Sequence, residues 1–294
     1  MTGLAATASE IASEIVLSHF SLARYHPIDD RIRLAAAHGF DGIGMYIGHY
    51  AQLERSGDAP GRLGELLDQH GVRLREIEVI SGLGIHGPGG IGPGGGEAAE
   101  REAVAFRMAD AFGCRYMQVI GPAGDDIAAA GRAFGSLCDR AADHSLVVGL
   151  EFLPFTDVVD VHDARRIVEA AGRPNGGICV DVWHHERGAR DLDAIAALPG
   201  ELITGIQIND GTVVAENPDY YTDCLANRRP PGDGEFDLAG FLTAVRGTGT
   251  TAPLSFEVCS TWGWANPDAH VERIGAGARS LHAAGTNNEE GRDA

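Results

Sequence analysis

Residues 177–188 read GICVDVWHHERG, and the way this stretch stops decides the fold. A short apolar run, Ile178 to Val180, opens on glycine and closes on Asp181, an indole ring and two adjacent histidines. Such a run, bounded by glycine and by charge, reads as a buried strand whose polar side chains begin where it ends. Asp181 and His184 are then residues at a strand mouth, or ordinary cap and turn residues.

The same pattern recurs along the chain. Strand-like runs lie at 14–20 (EIVLSHF), 42–47 (GIGMYI), 74–80 (LREIEVI), 116–120 (YMQVI), 146–152 (LVVGLEF), 177–181 (GICVD), 203–208 (ITGIQI) and 253–258 (PLSFEV). Between them come stretches with helical spacing of apolar residues, such as 29–39, 97–113, 125–144 and 161–172, several closing on glycine. Eight strands alternating with helices, with no compositional break, predict an α/β chain forming a single (β/α)8 TIM barrel over residues 1–284. A doubly wound open sheet is the alternative. The polar stretch 285–294, GTNNEEGRDA, is expected to be a disordered tail.

Composition removes several classes of chemistry. The formal charge of -19 would repel a phosphate backbone, and no basic cluster offsets it, so no nucleic-acid partner is expected. All 23 basic residues are arginine. Without lysine there is no Schiff base, no P-loop lysine and no pyridoxal-phosphate anchor. Cys114, Cys138, Cys179, Cys224 and Cys259 are odd in number, far apart and free of any C-x-x-C pair, as expected of reduced thiols in a cytoplasmic protein. Residues 1–20 lack the basic start and apolar core of a signal peptide, and no window is apolar enough for a membrane span.

Two segments break the regular beat. SGLGIHGPGGIGPGGG (81–96) follows the third strand and residues 210–237 follow the seventh, so both belong at the C-terminal mouth of a barrel. Gly82, Gly84 and Gly87 match a dinucleotide fingerprint, but PGGIGPGGG follows where a helix should begin, so a lid is the better reading.

The strand ends carry a constellation. The fifth strand ends on Glu151, the sixth on Asp181, the seventh carries Gln207 and the eighth ends on Glu257. A lone carboxylate at a strand end is usually a helix cap. Oxygen-bearing side chains in phase on consecutive strands instead converge at the mouth. Three carboxylates so close could not all stay ionised without a compensating charge. A divalent cation supplies it, and all-oxygen ligation suits Mn²⁺ or Mg²⁺ better than zinc.

The runs GLEFLPFTDVVD, VDVWHHERG, IQINDG, RRPPGDGEFDL and LSFEV together resemble the sugar phosphate isomerase/epimerase family. These xylose isomerase-like TIM barrels include inosose dehydratases, ketose 3-epimerases and 3-dehydroshikimate dehydratases. The resemblance implies an isomerase or epimerase acting on a keto-sugar, keto-cyclitol or similar polyhydroxy ketone, with a dehydratase as the alternative. It makes Glu151, Asp181, Gln207 and Glu257 metal ligands, Glu151 and Glu257 the catalytic acid–base pair, and His184 and Arg228 substrate contacts. Arg229, next to Arg228, leaves that last assignment open by one position. Gly44 stands where many relatives have a glutamate.

Other residues carry weaker signals. His185 and Glu186 are expected to be solvated loop residues, because neighbours in an extended segment point apart. Glu78 could reach the pocket or pair within the barrel, His86 could be a lid contact, and Trp183, Trp262 and Trp264 could wall the pocket. A zinc endonuclease on the same barrel would need more histidine ligands and a basic groove. A noncatalytic, complex-forming barrel is the remaining alternative. Barrels of this kind often pair, and the 210–237 loop could reach a second copy in a homo-oligomer.

Overall fold

The computed structural model describes residues 14–82, 96–121 and 123–290; Gly84, His86 and Gly87 lie outside them. Eight parallel strands close into a barrel in chain order, with the last pairing back onto the first. They are β1 (Ile15–Leu17), β2 (Gly42–Tyr46), β3 (Arg73–Ser81), β4 (Tyr116–Ile120), β5 (Val147–Glu151), β6 (Gly176–Asp181), β7 (Ile203–Ile208) and β8 (Leu254–Phe256). Every one falls within or across an expected run. Parallel strands covered on both faces read as continuous apolar runs rather than alternating ones, and all six residues of β6 are buried.

The helices are α1 (Ile28–Ala37), α2 (Ile47–Ser56), α3 (Gly61–His70), α4 (Gly96–Phe112), α5 (Ile127–Ala142), α6 (Val161–Ala171), α7 (Val182–Arg187), α8 (Leu192–Ala196), α9 (Tyr220–Ala226), α10 (Leu238–Gly247), α11 (Thr261–Ala265) and α12 (Pro267–Glu290). Helix α6 shows why they form where they do. Asp160 caps it by accepting from the amides of His162 and Asp163, at 2.9 and 3.1 Å. Val161, Ala164, Ile167, Val168 and Ala171 form its buried stripe, and Gly172 ends it at φ 60° in the left-handed region. Full burial of a side chain the size of Ile167 contributes about 1.5–3 kcal/mol. The last helix runs through 285–290, where composition suggests a disordered tail. No described helix is long and apolar enough to cross a membrane. All five cysteines are buried and unpaired.

Register sets the height of the site. Glu151 lies opposite Cys179, Asp181 opposite Gln207, and Gln207 opposite Ser255, two residues before Glu257. The four expected ligands therefore share the C-terminal rim. At β2, a Cβ on Gly44 would sit 1.6 Å from Glu78 Oε1 and 3.0 Å from the His19 amide nitrogen. Glu78 of β3 fills that space, accepting from Ser18 Oγ and the His19 amide, both at 2.9 Å. It is not among the residues lining the cavity described below. Gly44→Ala should therefore cost about 1–3 kcal/mol, read as a lower urea midpoint at unchanged slope.

Candidate active site

Asp181 settles the opening alternative by being both things at once. It ends β6 and caps α7: Oδ1 accepts from the Trp183 amide at 2.8 Å and from Asn209 Nδ2 at 2.8 Å. Its other oxygen, Oδ2, turns into the site, 2.8 Å from Arg228 Nη1 and 3.5 Å from His184 Nε2. Because α7 starts immediately, His184 sits one turn past Asp181 and shares its face. His184 Nδ1 is 2.7 Å from the Tyr220 hydroxyl, and Nε2 is 3.2 Å from Glu151 Oε1.

On the β4–β5 side, Gln118 Nε2 donates to Glu151 Oε2 at 2.6 Å and reaches Gln207 Oε1 at 3.4 Å. Glu151 Oε1 is buried and makes no hydrogen bond. On the β8 side, Arg228 Nη1 bridges Asp181 Oδ2 and Glu257 Oε2 at 2.8 Å each. Glu257 is thus tied to the cluster through a guanidinium. Burial lifts its carboxyl to about 8 against the pull of Arg228, with Glu151 and Asp181 adding to the rise.

The loop carrying Arg228 is held by one carboxylate. Asp210 accepts four backbone amides, those of Gly211, Gly232, Gly234 and Phe236, at 2.8–3.0 Å. Its backbone also pairs with that of Arg229. This presents Arg228 to the barrel, while Arg229 turns outward to Glu216 at 2.7 Å. Of the two arginines, it is Arg228 that faces the cluster.

Glu151, Asp181 and His184 offer donor atoms that all lie within 4.8 Å of one another. A buried carboxylate oxygen that accepts no hydrogen bond, beside an imidazole and a second carboxylate, fits a divalent cation. The converging set differs from the expected all-oxygen set: His184 joins Glu151 and Asp181, Glu257 stands behind Arg228, and Gln207 connects through Gln118. An imidazole among the donors brings zinc into range beside Mn²⁺ and Mg²⁺.

A cavity of about 250 Å³ opens over this cluster. Gln118, Glu151, His184, Arg228 and Glu257 form its polar side, and the rings of Phe20, Tyr46, Phe155 and Tyr221 line the rest. The three tryptophans that could have walled the pocket are not among the residues lining it. Trp183 is fully buried against Phe236, Trp262 lies under Arg273, and Trp264 donates to the Phe20 carbonyl. His185 and Glu186 are not solvated either. They lie on a helix rather than an extended segment; His185 packs on Phe241, and Glu186 pairs with Arg190.

Beside the cavity, Arg31, His19 and His49 are buried together. Burial, then Arg31 and His26, lower His49 to about 4. The unfolded chain therefore takes up this proton below pH 6.5 while the folded chain does not, so stability falls as pH drops from 6.5 toward 4. Urea midpoints at pH 7 and 4.5 should show a smaller acid loss in His49→Gln than in wild type.

A family model described as the xylose isomerase-like TIM barrel matches residues 32–282. The chain belongs to the xylose isomerase-like TIM barrel family. A 3-dehydroshikimate dehydratase from Pseudomonas aeruginosa is 37% identical over 123 residues, which is 42% of this chain but only 19% of that protein's length. Among solved structures, the IOLI protein with a bound zinc atom superposes with a TM-score of 0.78 at 17% identity, covering 92% of this chain and 98% of that one. A D-allulose 3-epimerase from Methylomonas sp. gives 0.71 at 16% identity, over 91% and 97%. At such identities these structures speak to the fold.

Within this xylose isomerase-like barrel, Gln118, Asn209 and Tyr220 support the site without having been expected there. Gln118 carried a signal, a polar residue inside the apolar run YMQVI. Tyr220 carried none, since it reaches His184 across the 210–237 loop.

Proposed function

We propose that this chain is a divalent-metal-dependent enzyme that enolises a polyhydroxy ketone, such as a keto-sugar or keto-cyclitol, and returns the proton to give an epimer or isomer. The observation that carries this reading is the placement of Glu151 and Glu257, from separate strands, on one cavity with the Glu151–Asp181–His184 donor set. Glu151, Asp181 and His184 would hold the cation, with Glu257 and Gln207 adjoining. When bound, the cation supplies Lewis acidity toward the ketone oxygen and offsets charge developing there.

The side chains divide the remaining work. Glu151, held at Oε2 by Gln118, would share the cation with Asp181 and His184 and take a proton from carbon. Glu257, lifted to about 8 by burial, holds a proton at neutral pH and can deliver it. His184, steadied at Nδ1 by Tyr220, and Arg228 orient substrate oxygens. Delivery to the opposite face of the same carbon gives an epimer, and delivery to the neighbouring carbon gives an isomer. Loss of a β-hydroxyl as water gives a dehydrated ketone, a second reading favoured by the segment shared with the dehydratase.

Incubation in D₂O with Mn²⁺ or Mg²⁺ and a panel of polyhydroxy ketones tests this. Deuterium should enter a C–H bond of recovered substrate or product, and a chelator should stop it. Mass loss of one water identifies the dehydratase outcome, and absence of both exchange and loss across the panel rejects the enzyme reading.

A further inference from the structure

We propose that Tyr220 is a positioning residue: its hydroxyl oxygen accepts a hydrogen bond from Nδ1 of His184 and so keeps the lone pair of Nε2 turned into the cluster as a metal-ligating atom. The ligation rests on the metal dependence proposed above, while the placement of the proton is argued from the contacts of the imidazole alone.

Three side chains approach His184 Nε2. Glu151 Oε1 is 3.2 Å away, yet that oxygen takes no hydrogen bond, so a ring proton on Nε2 would not point at it. Asp181 Oδ2 is 3.5 Å away and accepts instead from Arg228 Nη1. The neighbour aligned with the ring nitrogen is Arg228 Nη2, at 3.5 Å. A guanidinium has donors and no acceptor, so the nitrogen it faces supplies a lone pair. A neutral imidazole with its lone pair on Nε2 carries its proton on Nδ1. The Tyr220 hydroxyl, 2.7 Å from Nδ1, is the acceptor placed to receive it.

The phenol is held in place by the helix it opens. Asp219 caps α9 by accepting from the Thr222 amide at 2.8 Å. One turn on, the buried Asp223 accepts from the amides of Glu216 and Asn217 at 3.1 and 3.0 Å and from Asn227 Nδ2 at 2.9 Å. Its other oxygen accepts from Arg187 Nε at 3.1 Å, and Arg187 stands one turn after His184 on α7. Two contacts, a turn apart on each helix, therefore set α9 against α7: Tyr220 on His184 and Asp223 on Arg187. Phe155 packs across both rings, 5.4 Å from Tyr220 and 6.5 Å from His184, which themselves lie within 17° of parallel. This packing opposes the ring flip that would exchange Nδ1 and Nε2. A histidine that donates from one nitrogen to a fixed partner presents the other as an oriented, more basic ligand.

Two measurements on the full chain, stripped of metal by a chelator, test this without requiring turnover. Nitrogen-15 NMR of the histidine side chains, with His184→Gln identifying the resonances, reads which ring nitrogen bears the proton. Wild type should show it on Nδ1, and Tyr220→Phe, which keeps the ring and its packing, should move part of the population to Nε2. Calorimetric titration with MnCl₂ should then give a Kd about 10–100-fold weaker in Tyr220→Phe than in wild type, the usual cost of removing such a partner. A proton on Nε2 in the wild-type chain would overturn the assignment. So would a phenylalanine variant with the wild-type proton position and a Kd within about twofold of wild type, well inside the effect expected of a ligand's partner. If wild type takes up neither Mn²⁺ nor Mg²⁺ while the proton still moves in Tyr220→Phe, the metal-dependent reaction falls and the hydrogen bond from His184 to Tyr220 stands. Tight Mn²⁺ binding that the variant leaves unchanged would do the reverse.

Discussion

Glu257→Gln will lower turnover by about three orders of magnitude while leaving the fold intact, within the range that loss of a positioned acid–base group produces. The amide has the shape of the neutral carboxyl, and its oxygen can still accept from Arg228 Nη1, now 2.8 Å from Glu257 Oε2. What it cannot do is exchange a proton. The pH dependence gives a second readout. Burial raises the Glu257 carboxyl from 4.5 to about 8, so between those values the folded chain binds more protons than the unfolded one. Stability then falls as pH rises through that window, and the fall should be shallower in the glutamine variant. Deuterium exchange and urea midpoints from pH 5 to 8.5 measure both effects. Full exchange in the variant would remove Glu257 from the chemistry.

The second large effect concerns Arg228. Its Nη1 bonds both the buried Asp181 carboxylate and the Glu257 carboxyl, and in Arg228→Met the first loses its countercharge and the second its donor. Stranding buried charge in this way should destabilise the chain by about 3–5 kcal/mol. Mn²⁺ or Mg²⁺ should restore part of that loss by supplying the missing positive charge, and a chelator should cancel the recovery. Arg228→Lys should lose less than the methionine variant. A methionine variant as stable as wild type, with or without metal, would mean that the Asp181–Arg228–Glu257 bridge carries no weight.

Much of this site was legible in the sequence because a closed barrel converts strand endings into neighbours. Glu151, Asp181 and Glu257 each stop an apolar run, and the register of β5 to β8 brings those stops to one rim. Long-range partners were harder to see. Nothing local says that Arg228 would stand between Asp181 and Glu257, or that Tyr220 would reach His184, because the 210–237 excursion folds around Asp210 and the amides it collects. His185 and Glu186 were misread for a different reason. The residues after Asp181 turn helical at once, and helical spacing buries neighbours that an extended segment would have exposed. Gly44 departs from the glutamate that the resemblance leads one to expect there, and Glu78 of the next strand occupies the room it leaves.

Asp181 joins two requirements that most sites keep apart: one of its oxygens begins the helix bearing His184 and the other lends its charge to the cluster. Asparagine there would spare the winding and lose the charge; alanine would forfeit both. Divergence among such barrels is therefore expected to bypass this position and gather in the rim excursions, where replacements can retune recognition without unravelling the histidine's support.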